Sequence, residues 1–188
     1  MTNRGLYKQL EKLAARLDRI AEFTGRSIAW LTLGMVLITF AVVLLRYGLQ
    51  TGSIALQESV TYLHAIVFML GAAYTLKHDG HVRVDIFYQK ASPRTRAWTN
   101  LLGTLLLLFP TCGFIFVSSL DYVASSWSIQ ESSRETGGLD GVFLLKTVIP
   151  VMAVLLLLQG TSLVLRSALV IAGSKAAMSG GSTMDKES

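Results

Sequence analysis

Apolar residues fall into four long blocks that short polar segments separate. The blocks cover about residues 28–46, 58–76, 98–120 and 147–165. Because an α-helix rises 1.5 Å per residue, about 20 apolar residues cross a hydrocarbon core roughly 30 Å thick. The pattern predicts an all-α membrane protein with four transmembrane helices, contained in a membrane domain over residues 27–172.

The chain outside these blocks divides into two further segments. Residues 1–26 carry apolar side chains at steps of three and four, with basic side chains opposite them, which predicts an amphipathic helix in the inner membrane interface or against a partner helix. Residues 173–188 are rich in Ser, Gly and Lys and predict a disordered cytoplasmic tail. The apolar residues of the first segment are Leu6, Leu10, Leu13, Leu17 and Ile20.

Basic residues predict the orientation. Of the 17 Lys and Arg residues, all but Arg46, Arg134 and Lys146 lie in the N-terminal segment, the second connection or the C-terminal segment. Since cytoplasmic loops of membrane proteins carry the excess of Lys and Arg, both termini are predicted to be cytoplasmic. This distribution accounts for the net charge of +5 without nucleic acid, and it favours contact with anionic lipid head groups.

Residues that carry chemistry are scarce, with 15% charged against 52% hydrophobic residues. The polar segment 77–85 holds two His and two Asp residues, but their spacing fits no common metal site. No nucleophile motif occurs, and the lone Cys112 falls inside the third block and is interpreted as a small packing residue. The sequence therefore predicts no enzyme, no metal and no cofactor.

Three polar residues fall within or at the edge of the blocks: Glu58, His64 and Gln159. The favoured interpretation places Glu58 at the outer interface near Arg46 and lets His64 and Gln159 bond neighbouring helices. Two alternatives remain open. The three residues would form the polar path of a small homo-oligomeric carrier, or His64 would hold haem in a membrane anchor.

Several motifs, taken in order, resemble one family. Arg46-Tyr47 closes the first block, Glu58 opens the second, and Gly80-His81-Val82-Arg83-Val84-Asp85 follows it. Phe143-Leu144-Leu145-Lys146 then leads to Ile149-Pro150. Over about Ala29 to Arg166 the chain resembles the small integral-membrane (DctQ-like) subunit of tripartite ATP-independent periplasmic (TRAP) transporters.

The resemblance implies a multi-pass subunit of the bacterial inner membrane that has no catalytic role and no cofactor. Its implied partners are a large membrane transport subunit, against which it packs as a stabilising scaffold, and a periplasmic substrate-binding protein. The implied transporter imports organic acids (carboxylates) with sodium.

Two sets of residues are candidates for contacts with these partners. Small residues in the second and third blocks permit close helix approach, either to a partner or within the bundle, and the acidic third connection would dock the binding protein or act as plain solvated surface. The motif and partner-interface candidates are Arg46, Glu58, Gly71, Ala72, His81, Arg83, Asp85, Gly103, Gly113 and Pro150. The periplasmic docking candidates are Asp121, Glu131, Glu135 and Asp140.

Overall fold

A computed structural model describes residues 3–81 and 91–173, with side chains from residue 5 onward. In these residues the chain is helical and has no strand, and four helical units are long and apolar enough to cross a membrane. The predicted all-α class, with four helices long and apolar enough to span a membrane, is thus confirmed. The elements are α1 (Asn3–Gly48), α2 (Ile54–Lys77), α3 (Pro93–Gly103), a π-helical turn (Thr104–Leu108), α4 (Phe109–Ser128) and α5 (Val142–Ile171).

Helix α1 runs without interruption through the predicted boundary between residues 26 and 27. Its 46 residues extend about 69 Å at 1.5 Å per residue, which is about twice the thickness of a hydrocarbon core. Gly25 lies within this continuous helix, and its missing side chain leaves room for the Tyr74 ring of α2. One turn further along, the Ile28 side chain approaches Gly71. The N-terminal segment and the first span therefore form one rod.

Serine side chains fix the starts of α2 and α3. Ser53 Oγ accepts the backbone N–H of Leu56 at 3.4 Å, and Ser92 Oγ accepts that of Thr95 at 3.2 Å. Pro93 follows Ser92 at the first helical position, where a missing N–H costs nothing. The N-termini of α2 and α3 are therefore both capped by serine, a residue type that favours this position.

The π-helical turn ends at Leu108, two residues before Pro110. Proline has no N–H to donate, so the regular bonding pattern cannot continue through it. The structure accommodates it with one wide turn, closed by a bond from the Phe109 N–H to the carbonyl of Thr104. Thr104 is buried and faces Gly160 of α5, so this turn is also a point of helix contact.

Helix α5 is the centre of the bundle and contacts every other helix. Helix α1 packs chiefly on α2 and α5, whereas α3 and α4 pack chiefly on α5. The buried positions of α5 are mostly small or polar, which allows close helix approach in a membrane. They are Pro150, Ala153, Gln159, Gly160, Ser162, Ser167 and Leu169.

Candidate partner interface

A buried polar cluster joins α1 to α5 at the end of the bundle that carries Lys77, called here the inner end after the predicted orientation. Asp18 Oδ1 accepts hydrogen bonds from Gln159 Nε2 at 3.1 Å and from Ser162 Oγ at 2.5 Å. Asp18 Oδ2 accepts bonds from Nε of Arg166, at 3.0 Å, and from its Nη2. Asp18, Gln159 and Ser162 are buried. The prediction that Gln159 bonds a neighbouring helix is confirmed.

Asp18 is not among the residues predicted from the sequence, although the small residues around it indicate a contact between helices. Asp18 lies four residues after Ala14 and three before Ala21, so the three share one face of α1. All three are buried, whereas Leu6, Leu13 and Ile20 on the adjacent apolar stripe are 43–54% exposed. Small residues rather than leucines bring α1 close to α5, and the carboxylate among them marks the contact.

A second inner cluster holds the beginning of the connection between α2 and α3. The Glu22 carboxylate accepts hydrogen bonds from Arg26 Nε at 2.6 Å, from His78 Nε2 at 2.9 Å, and from Lys77 Nζ. The His78 ring lies 4.3 Å from the Tyr74 ring. His81, from the family motif, is exposed just beyond this cluster, while Arg83 and Asp85 lie outside the described residues.

Glu58 lies at the opposite, outer end and holds the α4–α5 connection, residues 129–141. Its Oε2 accepts the backbone N–H of Leu139 at 2.7 Å, and its Oε1 accepts the Ser133 hydroxyl. The sequence associates Glu58 with Arg46 instead, but Arg46 is exposed in the last turn of α1. The partners of Glu58 are 75 and 81 residues away along the chain, beyond the reach of local pattern.

The acidic docking candidates divide into one engaged residue and three exposed ones. Glu131 pairs with Lys146 and accepts the Ser126 hydroxyl at 2.7 Å. The bond from Lys146 lowers the pKa of the Glu131 carboxyl below its usual range, and the Ser126 bond contributes in the same direction. Glu131 therefore secures the connection to α5. The exposed residues are Asp121, which lies within α4, and Glu135 and Asp140 in the connection.

The small residues proposed for helix contact differ in their surroundings. A Cβ atom on Gly71 would lie 3.5 Å from Ile28 Cδ1, whereas one on Gly103 or Gly113 would meet nothing within 4 Å. Gly71 therefore contacts α1, while Gly103 and Gly113 lie on open surfaces of the bundle. Ala72 is half-buried and Pro150 is buried in α5.

Gly103 borders an open cavity of about 480 Å³ between α2, the α3–α4 unit and α5. Leu76, Thr104 and Leu163 also line it, as does Cys112, which is buried and has a free thiol. The lining is largely apolar, which suits the membrane interior.

The three intramembrane polar residues do not converge. Glu58 is bonded at the outer end and Gln159 at the inner end. His64 is exposed, and its ring stacks on that of Phe68, one turn further along α2, at a centroid distance of 6.4 Å. Within the described residues no hydrogen bond joins His64 to another helix of this chain, so its bonding to a neighbouring helix stays a prediction. Within residues 3–81 and 91–173, no group of three His, Cys, Asp or Glu residues is placed to hold a metal.

Comparison with known families gives the chain its context. A family model described as the DctQ component of tripartite ATP-independent periplasmic transporters matches residues 35–170, well over half of the chain. Curated proteins and solved structures gave no match. The family implies partnership with a large membrane subunit and a periplasmic binding protein, and it makes the chain a transporter component and not an enzyme. The chain belongs to the DctQ family, as a small membrane component of a TRAP transporter.

Proposed function

We propose that this chain is the scaffold subunit of a binding-protein-dependent secondary transporter that imports organic acids with sodium. It packs against the large transport subunit and stabilises it in the bacterial inner membrane, with both of its own termini in the cytoplasm. The family match supports the class of transporter in this proposal. The distribution of basic residues supports the orientation.

The observation that carries the scaffold role is how the polar side chains of the bundle are used. Asp18 binds three residues of α5 at the inner end, and Glu58 binds the α4–α5 connection at the outer end. Bonds of this kind hold helices in one arrangement, because an unpaired polar group in a membrane protein is costly. A subunit fixed at both ends is suited to serve as a frame for a moving partner.

The N-terminal part of α1 supports a second contact. Leu6, Leu13 and Ile20 are exposed on a helix that otherwise packs on α5, and basic side chains occupy the opposite face. This stripe fits the amphipathic role predicted for residues 1–26, at the inner membrane interface or against a partner.

The outer surface supports docking of the periplasmic binding protein. Asp121, Glu135 and Asp140 are exposed around the α4–α5 connection, whose cation in the sequence is Arg134. An acidic surface favours encounter with a partner that presents basic residues.

Reconstitution tests the proposal. The large subunit and the binding protein are placed in proteoliposomes with and without this chain, and carboxylate uptake is measured in sodium and in potassium buffers. We expect uptake to need both this chain and sodium, and the chain to co-purify with the large subunit. Equal uptake without this chain would contradict the scaffold role.

Uptake by this chain alone would favour the homo-oligomeric carrier, and a Soret band lost on His64→Leu would favour the haem anchor.

A further inference from the structure

Helix α2 carries a row of polar side chains on its exposed face. Gln57, Thr61 and His64 are exposed, and Phe68 continues the row. The steps of four, three and four residues place all of them on one side of the helix. His64 lies ten residues from the first residue of α2, or about 15 Å along an axis about 36 Å long, so the row reaches the middle of the span.

Some, but not all, threonines in the other spans satisfy their hydroxyls within their own helix. Thr39, Thr75 and Thr161 each donate to the carbonyl four residues earlier, at 2.8, 3.0 and 2.8 Å. Among the described residues the hydroxyl of Thr61 has no such bond, and the side chains of Gln57 and His64 also lack hydrogen-bond partners. Lipid hydrocarbon offers no hydrogen-bond partners, so this row of polar side chains is poorly suited to contact with lipid.

Other exposed faces of the bundle have a different character. On α1 the exposed positions include Trp30, Leu37 and Phe40, and on α4 they include Phe114 and Val117. These large apolar side chains can meet lipid tails at no cost, because lipid is as apolar as they are. The exposed face of α2 differs in bringing Gln57, Thr61 and His64 together in one row.

We infer that the face of α2 formed by Gln57, Thr61, His64 and Phe68, named here the α2 row, binds a transmembrane helix of the large subunit. The inference rests on the proposed function, since the family supplies a large membrane subunit as partner. The partner helix carries hydrogen-bonding side chains or a freed carbonyl facing the row over about 10 Å, the rise from Gln57 to His64. The rings of His64 and Phe68 lie nearly parallel, inclined by 18°, at the inner end of the row.

Site-specific photo-cross-linking tests this assignment in the intact complex. A benzophenone amino acid replaces Phe68 in one variant and Phe114 in another, two phenylalanines that are 72% and 73% exposed. We expect Phe68 to cross-link to the large subunit and Phe114 to give no protein adduct. An adduct from Phe114 with none from Phe68 would overturn the inference. An adduct of twice the mass of this chain at Phe68 would also overturn it, in favour of a second copy.

A polar-to-apolar variant provides an independent measurement. The triple substitution Gln57→Leu, Thr61→Val and His64→Leu removes the hydrogen-bonding groups, while Thr39→Val serves as the control because the Thr39 hydroxyl is satisfied within α1. We expect recovery of the large subunit with the triple variant to fall about tenfold, with melting of the isolated chain in detergent unchanged. Equal recovery of both variants would overturn the inference. Failure of the unsubstituted chain to recover the large subunit would instead count against the proposed function.

Discussion

Asp18 on the first helix and Arg166 on the last form an ion pair that joins residues 148 positions apart. Ser162 and Gln159 bind the same carboxylate, so its loss removes an acceptor from three groups of α5, of which the Ser162 hydroxyl can still donate to the Ala14 carbonyl at 3.2 Å. We expect Asp18→Ala to lower the free energy of unfolding by about 2 kcal/mol. This is less than the loss typical of a fully buried pair, because the Arg166 side chain is 49% exposed.

Thermal melting of the purified chain in detergent measures this loss, with Asp121→Ala as the control for an exposed carboxylate. Combining Asp18→Ala with Arg166→Ala completes a double-mutant cycle. We expect the double variant to be less destabilised than the sum of the single variants, since both remove the same interaction. Strict additivity would show that the pair contributes nothing.

Two glycines offer a test of internal against external packing. A Cβ on Gly160 would lie 2.7 Å from Leu108 Cδ2 and 2.8 Å from Phe109 Cε1, whereas a Cβ on Gly103 would meet no atom within 4 Å. We expect Gly160→Ala to destabilise the isolated chain by about 1–2 kcal/mol. We expect Gly103→Ala to raise its melting temperature slightly, because alanine favours the helix and meets no atom there. An equal effect of the two substitutions would contradict this packing.

The predicted orientation can be tested by cysteine labelling in a Cys112→Ser background. Thr51 and Ser132 are exposed near the outer end, and Arg94 is exposed near the inner end. A single cysteine at Thr51 or Ser132 is expected to react with an impermeant maleimide from the periplasm, and one at Arg94 only after permeabilisation. Ser53 and Ser92 are avoided, because their hydroxyls cap helices. The reverse labelling pattern would invert the orientation.

If the acidic outer surface docks the binding protein, reversing its charge is expected to slow uptake in a salt-dependent way. Glu135→Lys combined with Asp140→Lys reverses two exposed charges and leaves the Glu131–Lys146 pair intact. We expect uptake to slow most at low ionic strength, because salt screens exposed charges beyond about 10 Å at 0.1 M. Uptake that is unchanged at every salt concentration, with normal amounts of the variant in the membrane, would identify these residues as plain solvated surface.

The same connection predicts a pH effect on stability. Because the pKa of Glu131 is lowered in the folded chain, the bond to Lys146 stabilises the fold above the usual carboxyl pKa of 4.5 and is lost as pH falls through the lower folded value. Glu131→Gln is expected to reduce the difference in melting temperature between pH 7 and pH 4, and Glu135→Gln to leave it unchanged. Equal pH profiles for Glu131→Gln and the unsubstituted chain would contradict this linkage.

Much of this fold could be predicted because block length decides whether a helix spans a membrane. All four predicted spans lie within helical units of the structure. Helix ends were harder to place, because amphipathic turns continue past the hydrocarbon core. Helix α2 begins at Ile54 and not at Glu58, and α4 continues to Ser128.

Contacts between distant segments could not be predicted from pattern. The sequence marks Gly103, Gly113 and Gly71 as equivalent small residues, yet their neighbours differ. It also predicts that His64 bonds a neighbouring helix, although His64 faces out of the bundle of this chain. Which side of a helix meets its own chain depends on residues 50 to 150 positions away, and one sequence carries no record of that pairing.

The central position of α5 has a consequence for the timing of biogenesis. The ribosome makes α5 after α1 to α4, so the helix that contacts each of these four enters the membrane after them. At a translation rate of about 5–20 residues per second, Arg166 is synthesised roughly 7–30 s after Asp18. During that interval α1, α2 and α4 are inserted without their shared neighbour. Release of the nascent chain before α5 therefore leaves a set of helices with no common core, which membrane proteases can recognise as unassembled.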